Sequence, residues 1–188
     1  MQRVQRKALV VLLAALVACG AGLAGCGGGP DYSGSVDRPA GYTTYRADGV
    51  SFVRPGRFEA TSLPQVRGLR QLRFAAPGAQ PAGAPFVLLG TLPDARGRFD
   101  SLLDQERRVL EAAGGKVDAK DVDVPGAVKA VRSKIQSTSG GSEMRSQSLD
   151  LLLRDGTYVS LTAGTPKGRD DAVDVDAVLA SLRVEGNQ

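Results

Sequence analysis

A chain without histidine lacks the usual general base, the usual zinc ligand and the Ser-His or Cys-His nucleophile pair. Any chemistry must rest on carboxylates, hydroxyls or thiols. Glu106 stands out among the carboxylates. At about 100° per residue it falls in the middle of an apolar helical stripe of Phe99, Leu102, Leu103 and Leu110, where a lone carboxylate is costly unless paired. One reading makes it a pocket acid with a raised pKa. The other, more usual for a lone acid, has the helix overhang a sheet edge so that Glu106 reaches solvent or pairs with Arg70 or Arg73. A Glu106→Leu substitution separates the two. If that variant is at least as stable as the parent and keeps partner binding, the pocket-acid reading fails.

The other clusters are weaker. Asp170, Asp171, Asp174 and Asp176 bunch as a cation site would, but they lack the EF-hand spacing and its closing Glu and read as a helix start with solvated acids. Asp121-Val122-Asp123 reads as polar alternation in a strand. Ser137, Ser139 and Ser142 beside Gly140-Gly141 form no G-x-S-x-G elbow, and no S-x-x-K occurs. Arg67, Arg70 and Arg73 form a local basic cluster, yet 70 and 73 fall on opposite faces of a strand and read as solvated edge positions. Tyr42, Tyr45 and Tyr158 are candidates to line a groove. Aromatics make up only 5% of the chain and Trp is absent, which argues against stacking-based binding of sugars or single-stranded nucleic acid.

The thiols carry the strongest signal. A basic start (Arg3, Arg6, Lys7) and an apolar run from Ala8 to Val17 lead to Leu23-Ala24-Gly25-Cys26, the pattern of a secretory signal too short for a membrane span. The Leu23, Ala24, Gly25, Cys26 quartet resembles the bacterial lipobox. That resemblance implies a diacylglyceryl thioether on Cys26 and cleavage just before it. Residues 1–25 are then a lipoprotein signal peptide, and residues 26–41 are the lipidated Cys and a flexible tether. Cys19 leaves with the signal, so the mature chain keeps one cysteine and no disulfide or thiol metal cluster is expected.

Three of the positive charges behind the formal net charge of +4 are Arg3, Arg6 and Lys7. Without them the chain is near neutral, which gives no reason to expect nucleic acid as a partner. The stretch from Gly27 to Gly41 has no hydrophobic periodicity and, at fifteen residues, an r.m.s. reach of roughly 20 Å. The Gly27-Gly28-Gly29 run has no preceding strand, following helix or Walker-type Lys, so it is no phosphate loop.

A single globular domain is expected over 42–185, consistent with 188 residues in total and a 42% hydrophobic composition. Tyr42–Arg46 and Val50–Arg54 flank Asp48-Gly49 and read as a type I′ hairpin. A strand at Leu69–Ala75 follows, then a loop at Ala76–Ala84. Pro85–Leu92 is apolar on both faces, the mark of a central strand. A helix from about Arg98 to Ala113 stops at Gly114-Gly115. Strands near Val117–Val124 and Ala127–Ser137, an exposed loop at Thr138–Glu143, and a hairpin of Arg145–Arg154 with Thr157–Ala163 come next. A helix from about Asp170 to Leu182 closes the chain. The predicted class is α+β, a mostly antiparallel sheet of six to eight strands flanked by two helices, one on each face.

The motifs Tyr45-x-x-Asp48-Gly49-Val50-Ser51-Phe52-x-x-Pro55-Gly56, Arg154 through Thr162, and Val178 through Val184 resemble the PsbP-like α/β/α sandwich and bacterial lipoproteins of the LpqN type. The resemblance covers residues 42–185 and rests on structural punctuation. It implies protein binding without catalysis, since members include a photosystem accessory subunit, a nuclear Ran-binding factor and lipoproteins.

The leading expectation is therefore a non-enzymatic lipoprotein, held on the outer face of the plasma membrane by the lipid on Cys26, that binds an envelope protein. It has no cofactor, no metal and no nucleic acid partner, and it shows an exposed patch bordered by loops. A second reading is a carrier or binding module for a small apolar or lipid ligand, which requires a cavity of about 300 Å³ or more between the sheet and one helix. A third, ranked last, is an enzyme using two carboxylates in a cleft.

Overall fold

The computed structural model describes residues 38–80, 82–169 and 171–185. The signal, Cys26 and most of the tether lie outside them. The chain opens with β1 (Tyr42–Ala47) and β2 (Val50–Pro55), paired antiparallel from Tyr42↔Pro55 to Ala47↔Val50. Asp48 and Gly49 have φ of 52° and 77°, the two positive values a type I′ turn requires. Then follow β3 (Glu59–Val66), β4 (Leu69–Ala75), β5 (Phe86–Leu92), α1 (Phe99–Ala112), β6 (Lys116–Asp121), β7 (Ala127–Ser139), β8 (Ser142–Leu153), β9 (Tyr158–Pro166), α2 (Val175–Ala180) and β10 (Arg183–Val184).

Over the described residues the fold is α+β, with ten strands in two antiparallel sheets and two helices. The expected single sheet of six to eight strands is corrected to a seven-stranded sheet, β3-β4-β5-β9-β8-β7-β6, and a three-stranded one, β1-β2-β10. Val50 and Phe52 of the opening hairpin point into the same apolar core as Phe74, Leu149, Leu161 and Leu179. The hairpin therefore stacks on the large sheet instead of extending it. The small sheet and α2 cover one face, and α1 lies on the other.

Several boundaries differ from the sequence reading. β3 was not foreseen, because Pro64 and five exposed polar or small residues hide an edge strand that carries a bulge between Leu63 and Val66. With β3 in place β4 is no edge, so Arg73 is not a solvated edge residue. It is half-buried, while Arg70 points to the other face and reaches Asp48 Oδ1 at 2.7 Å. The loop expected at Thr138–Glu143 is a continuous hairpin, paired to Ser139↔Ser142 across Gly140-Gly141. The last helix is shorter than its periodicity suggests. Asp174 caps it by accepting from Ala177 N–H at 2.9 Å, so Asp171 falls in a turn before it.

Gly164 on β9 is a tight packing point, where an added Cβ would sit 2.7 Å from Phe86 Cε1 and 2.9 Å from Ser146 Cβ. Gly164→Ala is expected to destabilise the domain by roughly 1–3 kcal/mol, since neither neighbour is the free end of a flexible chain. Chemical denaturation checks this.

Candidate functional site

The face of the large sheet beneath α1 is built from cross-strand rows. Arg73 pairs with Leu88, Leu88 with Thr162 and Thr162 with Ser148. One step along, the row is Gln71, Gly90, Ser160 and Asp150, and the next places Leu92, Tyr158 and Leu152 side by side. Register puts every member of these rows on the α1 side. Gly90 leaves a gap in the middle row, between the larger residues Leu88 and Leu92 of its own strand. An open cleft of about 330 Å³ lies there between sheet and helix. Leu102, Glu106 and Val109 form its helical wall, and Leu63, Leu69 and Phe86 close it from the sheet side.

Glu106 faces this cleft on one side and a small cavity of about 30 Å³ on the other, where Ser133, Ser148 and Asp150 are also exposed to the space. Asp150 is buried. Its Oδ1 accepts from Tyr158 Oη–H at 2.7 Å and its Oδ2 from Ser148 Oγ–H at 2.9 Å, and the Ser160 hydroxyl also bonds it. Burial raises the Asp150 pKa, while the hydroxyl donors favour its anion. Glu106 has no such set of donors. Burial, and after it the negative charge of Asp150, pushes its carboxyl up to about 8. At neutral pH Glu106 therefore keeps its proton. Burial and the same two acids keep the Tyr158 hydroxyl protonated as well.

Glu106 thus stands in the wall of a cleft, as the pocket-acid reading requires. Glu106 is half-buried in the cleft wall, and Arg70 is engaged by Asp48. The tyrosines do not share a groove. Tyr42 accepts a hydrogen bond from Asp174 N–H at 2.7 Å and Tyr45 packs on Phe52 and Phe74, whereas Tyr158 belongs to the opposite face. Asp176 pairs with the buried Arg132, and among the described residues no group of three or more acids or thiols could hold a metal ion. The Ala76–Ala84 and Thr138–Glu143 segments meet, since a Cβ at Gly140 would lie 3.1 Å from Ala82 Cβ.

Asp150, Tyr158 and Gly90 were not picked out as a site by sequence reasoning. In β8 the odd positions Leu149, Leu151 and Leu153 are apolar and Ser146, Ser148 and Asp150 are polar, a pattern that reads as a solvent face. The one hint was Glu106 itself. A misplaced acid on the covering helix calls for polar partners on whatever it covers.

Chemically, the site offers a trough with one neutral carboxyl in its wall and a second acid, Asp150, buried behind it. The serines donate to that acid instead of being activated by a base. The chain matches no protein-family model and no curated protein sequence. Two solved structures share part of its shape. A crystal structure from Bacteroides thetaiotaomicron aligns with a TM-score of 0.47 and 12% identity over 77% of this chain and 48% of that one. The Pseudomonas aeruginosa protein of unknown function PA94 aligns with a TM-score of 0.42 and 17% identity over 69% and 86%. The chain thus spans about half the length of the Bacteroides structure it matches.

Proposed function

We propose that this protein is a lipoprotein of the plasma membrane, anchored through Cys26 on the outer face, whose PsbP-like domain holds a small, largely apolar ligand in the cleft between α1 and the large sheet. The observation that carries the ligand reading is the cleft, whose roughly 330 Å³ meets the size a small-molecule site needs. Leu, Val and Phe make up about half of its walls. Burying such side chains against an apolar ligand returns about 25 cal/mol per Å² removed from water. The neutral Glu106 adds one hydrogen-bond donor without placing a charge on the wall. The protein-partner reading calls for an exposed apolar patch, and among the described residues Val128 is the one large hydrophobic side chain left exposed. Ligand binding is therefore favoured over protein docking.

Gly90→Leu tests this. A Cβ at Gly90 makes ordinary contacts, 3.5 Å from Leu69 Cδ1 and 3.7 Å from Ser160 Cβ, so the strand accepts the change and the rest of the side chain fills the trough. Mass spectrometry of organic extracts is expected to find a small molecule that travels with the purified wild type and is absent from Gly90→Leu. Equal extracts from both would defeat the reading. For the anchor, an alkyne-tagged fatty acid fed to cells is expected to label the wild type and not Cys26→Ser.

A further inference from the structure

We infer that the cleft takes a single-chain fatty carboxylate, its tail along the leucine floor and its head group between Arg67 and Arg98. This deepens the ligand reading above and rests on it.

The cleft runs along α1. The helical residues that line it run from Arg98 to Leu110, about 18 Å of helix at 1.5 Å per residue. A trough of that length and only about 330 Å³ suits one extended chain and has no room for two. Leu69, Leu88 and Leu92 line it from the sheet, Leu102 and Val109 from the helix, and Phe86 closes the far end, with Gln71, Ser160 and Glu106 midway.

The near end is cationic. Arg67 sits in the two-residue turn between β3 and β4 with φ 51°, and that turn lies against Leu92, since a Cβ at Gly68 would be 3.2 Å from Leu92 Cδ1. Arg98 immediately precedes α1 and lines the same cleft. Both side chains are exposed, and neither joins an ion pair among the described residues. Asp100 is held by Lys129 Nζ at 2.6 Å and Asp48 by Arg70 at 2.7 Å. Two planar guanidinium forks at one mouth of an apolar trough match a carboxylate, which accepts from them bidentately. The α1 N-terminus beside them carries no side-chain cap, so its free N–H groups add potential of the same sign. Glu106, halfway along, stays protonated at neutral pH and does not repel an anion on its way in.

The test uses the full chain in membranes with photoreactive diazirine analogues of dodecanoate and of uncharged dodecanol, and cross-linked peptides identified by mass spectrometry. Both analogues are expected to label 86–92 and 99–112, the acid about tenfold more efficiently at equal low concentration, as charge-assisted hydrogen bonds imply. The Arg67→Gln/Arg98→Gln double variant is expected to remove that tenfold advantage and leave dodecanol labelling unchanged. Because both positions are exposed, the variant keeps its fold. Equal labelling by acid and alcohol, or an advantage that survives the double variant, overturns the proposal. So does an advantage lost on Arg73→Gln alone, which would put the head group at the opposite end. If neither analogue labels the cleft, the ligand reading itself falls and takes this inference with it.

Discussion

Glu106→Gln is expected to leave stability almost unchanged in mild acid and to raise it by several kcal/mol in mild base. In the folded protein the carboxyl titrates at about 8, against an ordinary value of 4.5 in the unfolded chain. Between those two values the folded state keeps a proton that the unfolded state has released. Stability contributed by this group is full below the lower value and falls as pH rises through the window, by roughly 1.4 kcal/mol per pH unit. The sign is opposite to that of a salt-bridged acid. Gln has nearly the same shape as the protonated acid and cannot ionise, so the variant's stability profile should be flatter over that range. Urea unfolding at a series of pH values checks this, and parallel profiles for wild type and variant would mean that Glu106 is ionised in the fold.

Asp150 gives the second large effect. Asp150→Ala removes the acceptor of the Tyr158 and Ser148 hydroxyls, both in buried residues. Each stranded donor costs about 1–3 kcal/mol, so a total loss of roughly 2–6 kcal/mol is expected. Asp150→Asn keeps an acceptor oxygen and removes the charge, and should cost much less. It also removes the anion that helps hold the proton on Glu106, so the pH window over which the protein weakens should narrow from its upper end. If Ala and Asn variants were equally unstable, the loss would come from the charge itself, and the hydrogen bonds would not be its source.

The sequence made the frame of this fold readable where local chemistry is unambiguous. Asp48-Gly49 forces a type I′ turn whatever surrounds it, and α1 appears at Phe99–Ala112 because its apolar stripe and the Gly114-Gly115 stop agree. β4 emerges at Leu69–Ala75 as expected. What stayed hidden depends on contacts distant in the chain. β3 is polar, exposed and interrupted by Pro64, so only its partner β4 makes it a strand. The second sheet was invisible because β10 is two residues long and owes its existence to pairing with β2.

The site followed the same rule. Glu106 was conspicuous because it contradicts the period of its own helix. Its counterpart Asp150 was not, because an acid alternating with leucines in a strand looks solvated until a helix is found lying over it. Gly90 carries no chemistry, and its value lies in the side chain it lacks. Register across four strands is needed to see that this gap lines up with Ser160 and Asp150 beneath Glu106.

The central claim is that the space between α1 and the large sheet is a binding site, and methyl NMR of the full chain in lipid nanodiscs, titrated with dodecanol, tests it most directly. The account expects shifts confined to the methyl groups of Leu69, Leu88, Leu92, Leu102 and Val109, and their loss in Gly90→Leu. Shifts centred instead on Val50, Val178 and Leu179, in the core under the small sheet, or no saturable shift at all, would contradict it.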